Sequence, residues 1–220
     1  LVYSGERLLY VPGLGIDARA RDADGEAQVG FEWLADAGAC FVIGGGDQAY
    51  VDTNGKNGFL DIWTWLKDNK AALLEKYALG NGKYDEAAIE LYLLNICRWY
   101  YRVCWSVPAL RVVYESFPQY MIWDDHEIMD GWGSLTNKER RARISGFFEE
   151  KDSKTNQLLV DLMWRAACRA YYEYEHSHNP VTSVDLEQPD NPLCVYAFSH
   201  GEVAVYAVDL RGHHDLEKKK

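Results

Sequence analysis

ACFVIGGGDQAYVD (39–52) opens as a continuous apolar run and breaks on three glycines, Gly44 to Gly46. An unbroken apolar run marks a strand covered on both faces, and the glycines let the chain turn sharply as it leaves that strand. Upstream, QVGFEWLADAG (28–38) sets Phe31, Leu34 and Ala35 on one helical face, with Gly38 as C-cap. Helix followed by buried strand predicts an α/β layered sheet. RLLYVPGL (7–14) reads as an earlier short strand ended by Pro12 and Gly13, and the polar RARDADGEAQ (19–28) as loop or frayed helix.

Downstream of that stretch the period changes. FLDIWTWLKDNKAALLEKYAL (59–79) carries Leu60, Trp63, Leu66 and Leu73–Leu74 at helical spacing. After the turn GNGKYD (80–85), EAAIELYLLNICRWYYRVC (86–104) is a second long amphipathic run, with Cys97 and Cys104 on one core-facing side. SVPALRVVYESF (106–117) predicts a further helix capped by Ser106, with Pro108 tolerated in its first turn. Pro118 ends it, and QYMIW (119–123) is a short strand that delivers DDHE (124–127) at its C-terminal end. A helical region over 154–178 and a loop, NPVTSVDLEQPDNP (179–192), lead to LCVYAFSH (193–200) and EVAVYAVDL (202–210), strands of a hairpin around Gly201. The chain thus reads as one domain over 1–220, with helical excursions about 59–117 and 154–178.

Composition narrows the function. The 220 residues carry 34 acidic and 23 basic side chains, a formal charge of −11, which disfavours non-specific binding to nucleic acid or anionic membranes. A small anionic substrate stays compatible, because a bound cation inverts the local potential. Five cysteines without a CxxC pair read mostly as buried thiols rather than a disulfide framework or a zinc knuckle. No apolar run approaches the ~18 residues of a membrane span. The cytoplasm is the favoured location, with a leader removed before Leu1 left open.

Two polar clusters carry chemistry. Past the buried strand, Asp47, Tyr50 and Asp52 are candidate oxygen ligands at a strand's carboxyl end, where open α/β sheets bind their ligands. In WDDHEIMDGWGS (123–134), Asp124, Asp125, His126, Glu127 and Asp130 can each ligate a cation or move a proton. Adjacent carboxylates repel unless a cation or hydrogen bonds offset the charge. Successive side chains of an extended segment diverge, so Asp124 and Asp125 are expected to take different roles, one on metal and one ordering the loop.

Taken together, GGDQAY (45–50) and WDDHEIMDGWGS closely resemble the PhoD-like branch of the calcineurin-like metallophosphoesterases. The similarity extends over RWYYRVCWSVPALRVVYESFPQYMIW (98–123) and, more weakly, FSHGEVAVYAVDLR (198–211). The resemblance implies a layered metallophosphoesterase-like sheet sandwich flanked by helices, with a helical insertion. It implies two metal ions (Fe, Mn, Ca or Zn), with Asp47 shared between them and Tyr50 and Asp125 as further ligands. His126 would be the catalytic residue over the scissile phosphate of a small phosphate ester. The family's first metal block falls on YVPGLGIDARARDADG (10–25), which has no cysteine or histidine and offers Asp17 as the tempting substitute ligand. Its terminal blocks would follow Leu210, where RGHHDLEKKK (211–220) offers the histidines His213 and His214, so the expectation is either a sequence incomplete at its C-terminus or a degraded relative.

The leading reading is metal-dependent hydrolysis of phosphomonoesters or phosphodiesters through a two-metal-activated water. Arg102 and Arg111 are candidate phosphate anchors. A second reading is a non-catalytic interaction or structural relative that keeps the fold with an incomplete metal centre. A third is glycoside hydrolysis by a carboxylate pair such as Asp124 and Glu127 beside tryptophans.

Overall fold

The computed structural model describes residues 2–4, 7–9, 38–52, 61–136, 139, 154–180 and 194–211. In chain order its elements are β1 (Val2–Ser4), β2 (Arg7–Leu9), β3 (Val42–Gly44), α1 (Ile62–Lys76), β4 (Ala78–Gly80), β5 (Lys83–Tyr84), α2 (Glu86–Trp105), α3 (Pro108–Ser116), β6 (Gln119–Met121), α4 (Lys154–Tyr174), a 3-10 turn (His176–His178), β7 (Tyr196–His200) and β8 (Val203–Ala207). The strands pair two by two, giving an α/β arrangement of small sheets flanked by helices, consistent with the layered sandwich. Most of the helix over 28–38, residues 10–14 of the first strand, and Asp17, His213 and His214 lie outside the described residues.

The pairing that matters most joins segments far apart in sequence. β3 and β6 run parallel, Val42 opposite Gln119 and Gly44 opposite Met121. Parallel neighbours need a long crossover, and the helices α1 to α3 supply it outside the sheet. Because both strands point the same way, the loops that follow them leave at one edge. Among the described residues, β6 meets on its other side a side chain in place of a strand: Met121 N–H donates to Asn179 Oδ1 at 2.7 Å, and Asn179 Nδ2 donates to Met121 O at 2.6 Å. The Asn179 amide thus mimics a peptide group. Asn179→Ala is expected to leave two buried backbone groups unpaired, at about 1–3 kcal/mol each. Urea unfolding measures this, and a loss under about 0.5 kcal/mol would show that β6 needs no such cap.

Local chemistry accounts for the helices. Asp61 caps α1 by accepting from Thr64 N–H at 2.7 Å, and Asp85 caps α2 by accepting from Ala88 N–H at 3.1 Å. The helical pattern to Leu79 overruns the helix, which stops at Lys76. Asn81 and Gly82 take φ of 53° and 69°, the left-handed pair of a two-residue hairpin, and so pull Ala78–Gly80 onto Lys83–Tyr84. Ser106 does not cap α3. It closes α2, its Oγ donating to Val103 O at 2.8 Å, while α3 starts at Pro108 without a side-chain cap. The proline drives the residue before it to extended backbone, so Val107 (ψ 119°) must break the helix there and Ser106 is left behind.

α2 packs along α4 around one core in which Leu66, Ile89, Leu93, Leu159 and Met163 are buried. Arg98 grips Glu173 with two parallel hydrogen bonds of 2.6 and 2.7 Å across that interface. The tryptophans of the second polar cluster belong to the same core. Trp123 stacks on Tyr171 with ring centroids 4.8 Å apart, and Trp132 on Trp164 at 4.4 Å. They therefore line no sugar groove, which removes the support for glycoside hydrolysis. Of the five thiols, Cys97, Cys168 and Cys194 are buried, Cys104 is half-buried and Cys40 is exposed. Among the described residues no helix is long and apolar enough to cross a membrane.

Candidate metal centre

β3 empties into Gly45, Gly46 and Asp47, and β6 into Ile122, Trp123 and Asp124, with Ile122 N–H still donating to Gly44 O at 3.0 Å. The two loops then touch. A Cβ on Gly46 would lie 2.5 Å from the Asp124 nitrogen, so only glycine fits this crossing, and Gly46 has a φ of +109°. Asp47 follows with φ 59°, a left-handed conformation uncommon outside glycine. That turn aims its carboxylate across the gap, where Oδ1 accepts His126 N–H at 3.3 Å.

Asp47, Asp125 and His126 each offer one ligand atom, and these atoms lie within 4.8 Å of one another. The Tyr50 hydroxyl donates to Asp47 Oδ2 at 3.1 Å, and its ring stacks on the His126 imidazole at 4.4 Å. The four residues nominated from sequence therefore meet in one place. Asp124 and Asp125 diverge: Asp125 is buried and accepts Gly131 N–H through Oδ2, whereas Asp124 turns to an ion pair with Arg211.

Three further side chains hold this arrangement. Asp52 has both oxygens engaged, Oδ1 with His126 Nδ1 at 2.7 Å and Oδ2 with Asp130 N–H, so it orients the histidine and is not the open ligand its position suggested. Glu127 is buried and spans the loops: Oε1 accepts Gln48 N–H at 2.7 Å and Oε2 accepts Asp124 N–H at 3.0 Å. Both oxygens are thus committed to backbone, which also removes Glu127 from any glycosidase pair. Sequence reading leaves Arg211 aside; its one signal there is an arginine directly after the predicted strand 202–210. Arg102 and Arg111 are engaged elsewhere, Arg102 with the Tyr174 hydroxyl at 3.4 Å and Arg111 with Glu115 at 3.0 Å.

The electrostatics favour a cation. Burial holds the Asp47 carboxyl above its ordinary range despite the opposing charge of His126, and the Asp124 charge adds to that rise. Burial, then the charge of Asp47, likewise raises the Tyr50 phenol. Burial disfavours the His126 imidazolium, yet the hydrogen bond and charge of Asp52, helped by Asp47 and Asp125, push it up to about 9. Two carboxylates and a phenol are oxygen donors suited to a hard cation, and such an ion would reverse the penalty on ionised Asp47. The residues present fit the metal that the resemblance implies.

Behind the centre lies a second carboxyl. Glu175 is fully buried, Tyr101 donates to its Oε1 at 2.7 Å, and among the described residues its Oε2 has no hydrogen-bond partner. Burial, reinforced by the charge of Glu127, holds this carboxyl well above the usual range, against the lowering effect of the Tyr101 hydrogen bond. The raised pKa favours the protonated carboxyl in the folded state, so the associated stability is present at acid pH and is lost as pH rises from the unfolded pKa of about 4.3 toward the folded value, at up to about 1.4 kcal/mol per unit. Glu175→Gln, which cannot ionise, is expected to match the native chain near pH 4 and to exceed it at pH 8. Urea midpoints across that range measure it, and parallel curves would refute it.

Residues 30–219, most of the chain, match the family model described as PhoD-like phosphatase. The uncharacterized protein YGR266W of Saccharomyces cerevisiae is 31% identical over 106 residues, which cover 44% of this chain and 15% of that protein. The chain therefore spans a small part of that relative's length. No solved structure matches it.

Proposed function

We propose, from the premise that this chain belongs to the PhoD-like phosphatase family, that it performs metal-dependent hydrolysis of phosphomonoesters or phosphodiesters with the groups gathered past β3 and β6. The observation that carries this reading is the meeting of Asp47, Asp125 and His126 ligand atoms within 4.8 Å at the carboxyl ends of two paired parallel strands. Asp47 and Asp125 would hold the metal, with Tyr50 poised on Asp47, and two ions would share Asp47. When bound, the cations would supply an activated water and neutralise charge on the phosphoryl group.

The chain's own contribution is orientation and a positioned donor. Asp52 engages His126 Nδ1 and Tyr50 stacks on its ring, so the imidazole is fixed from two sides. Nε2 remains to donate to a phosphoryl or leaving oxygen, and Asp52 stabilises the charge that donation requires. Glu127 keeps the loops in register, and the buried Trp123 and Trp132 anchor the second loop from beneath. The test is metal content by elemental analysis together with hydrolysis of an aryl phosphate and an aryl phosphodiester, with and without EDTA. Bound metal with EDTA-sensitive hydrolysis supports the reading; a chain that neither takes up metal nor hydrolyses either ester overturns it.

A further inference from the structure

We propose that Arg211 is a positioning residue that assigns the adjacent carboxylates their roles, taking Asp124 as its own partner and so leaving Asp125 to the cation. This rests on the metal-centre reading above. The Arg211 Nε pairs with Asp124 Oδ1, Nη1 donates to Ser134 Oγ at 2.8 Å, and Nη2 stands 3.8 Å from Asp125 Oδ1. The guanidinium is thus committed to Asp124 and within easy reach of Asp125.

Its own position is built with care. Asp209 is buried, and its Oδ1 accepts both Arg211 N–H and Trp123 Nε1–H at 2.9 Å, which ties the chain after β8 to the residue before Asp124. A Cβ on Gly133 would lie 2.7 Å from Arg211 Cα, so the second loop makes room for the Arg211 backbone with a glycine at φ +36°. Adjacent side chains of an extended segment diverge, so only one of the two carboxylates faces a given cation. A fixed arginine resolves the choice because its fork is always charged and directional.

The consequence is a hand-over. In Asp124→Asn the guanidinium loses its anionic partner and swings onto Asp125, competing with the metal. Mn2+ binding, read by isothermal titration of the full chain, should weaken by roughly 10–100-fold, the range for groups that orient metal ligands, although Asp124 is not itself a ligand. Adding Arg211→Met should then restore binding, because the competitor is gone. A tether with no choice between carboxylates would instead make the second substitution neutral or worse, and either result, or an undiminished affinity in Asp124→Asn, overturns the proposal. Should Asp124→Asn fail to fold by circular dichroism, Arg211→Met alone decides. Asp124 is then released to substitute as ligand, so Asp125→Asn must cost less Mn2+ affinity in that background than beside the native arginine; an equal cost refutes the assignment. If the unaltered chain takes up no Mn2+, the metal-centre reading loses Mn2+ as its ion, and the hand-over is still judged on the metal-free chain. There the Arg211 Nε–Hε resonance should move on Asp124→Asn and move again when Asp125→Asn is added; a resonance indifferent to the second change sinks the proposal.

Discussion

His126→Asn is expected to keep its metal and lose turnover by roughly 10²–10³, the usual worth of one positioned donor to developing charge. The reason lies in how the histidine is held. Its Nδ1 is engaged by Asp52 at 2.7 Å and its face is covered by Tyr50, so the ring is presented by the protein and does not depend on an ion for its orientation. Asparagine keeps a donor but removes the ring nitrogen that would reach the substrate. Asp47→Asn is expected to lose metal and turnover together. Asp47 is the residue on which the centre converges: it bonds to His126 N–H and Tyr50 O–H, and burial still holds its carboxyl above the ordinary range, a penalty that a bound cation would remove. A neutral amide cannot neutralise two ions. Elemental analysis beside kcat on an aryl phosphate separates the two variants. Full metal content in Asp47→Asn, or undiminished turnover in His126→Asn, would overturn the division of roles.

Gly46→Ala should be among the most damaging single changes in the chain, whereas Gly45→Ala, one residue earlier, should be nearly silent. At Gly46 the new methyl would meet the Asp124 backbone, 2.5 Å from its nitrogen and 2.9 Å from its Cα, in a conformation that side chains rarely adopt. Backbone cannot yield as a flexible side chain can, so the loops must part. Parting them breaks the two Glu127 bonds to Gln48 N–H and Asp124 N–H and separates Asp47 from Asp125. A buried carboxylate left without donors compounds the strain, and a loss above about 4 kcal/mol is expected. At Gly45 nothing lies within 4 Å of the added carbon. Urea unfolding with metal analysis of both variants checks this; similar stabilities for the pair would show that the loops do not cross as closely as described.

Much of this was legible in the amino-acid sequence because much of it is local. Hydrophobic period depends only on neighbours three or four residues apart, so the helices over 62–76, 86–105 and 154–174 follow from the pattern. The short apolar runs 39–46 and 119–123 likewise announced strands, which the fold places at Val42–Gly44 and Gln119–Met121, with polar loops past them. The divergence of Asp124 from Asp125 also follows from extended geometry alone. Where local reading erred, at Ser106 and Leu79, the error came from a competing local signal, Pro108 in one case and Asn81–Gly82 in the other.

The partners of the polar groups were a different matter. Nothing in DDHE shows that Glu127 is buried and bonded to Gln48, 79 positions earlier, or that Asp52, 74 positions before His126, spends its carboxylate on that histidine. Nor does any spacing reveal that Arg211 reaches back 87 positions to pair with Asp124. By itself the sequence determined which residues could ligate and on which strands they end, since those properties belong to side-chain chemistry and short-range periodicity. Only the tertiary structure decided which carboxylates face the centre, which hold a loop and which hold a histidine. A carboxylate has the same chemistry in all three roles, and its role is set by which donors the parallel pairing of β3 and β6 and the return of the chain after β8 bring within reach.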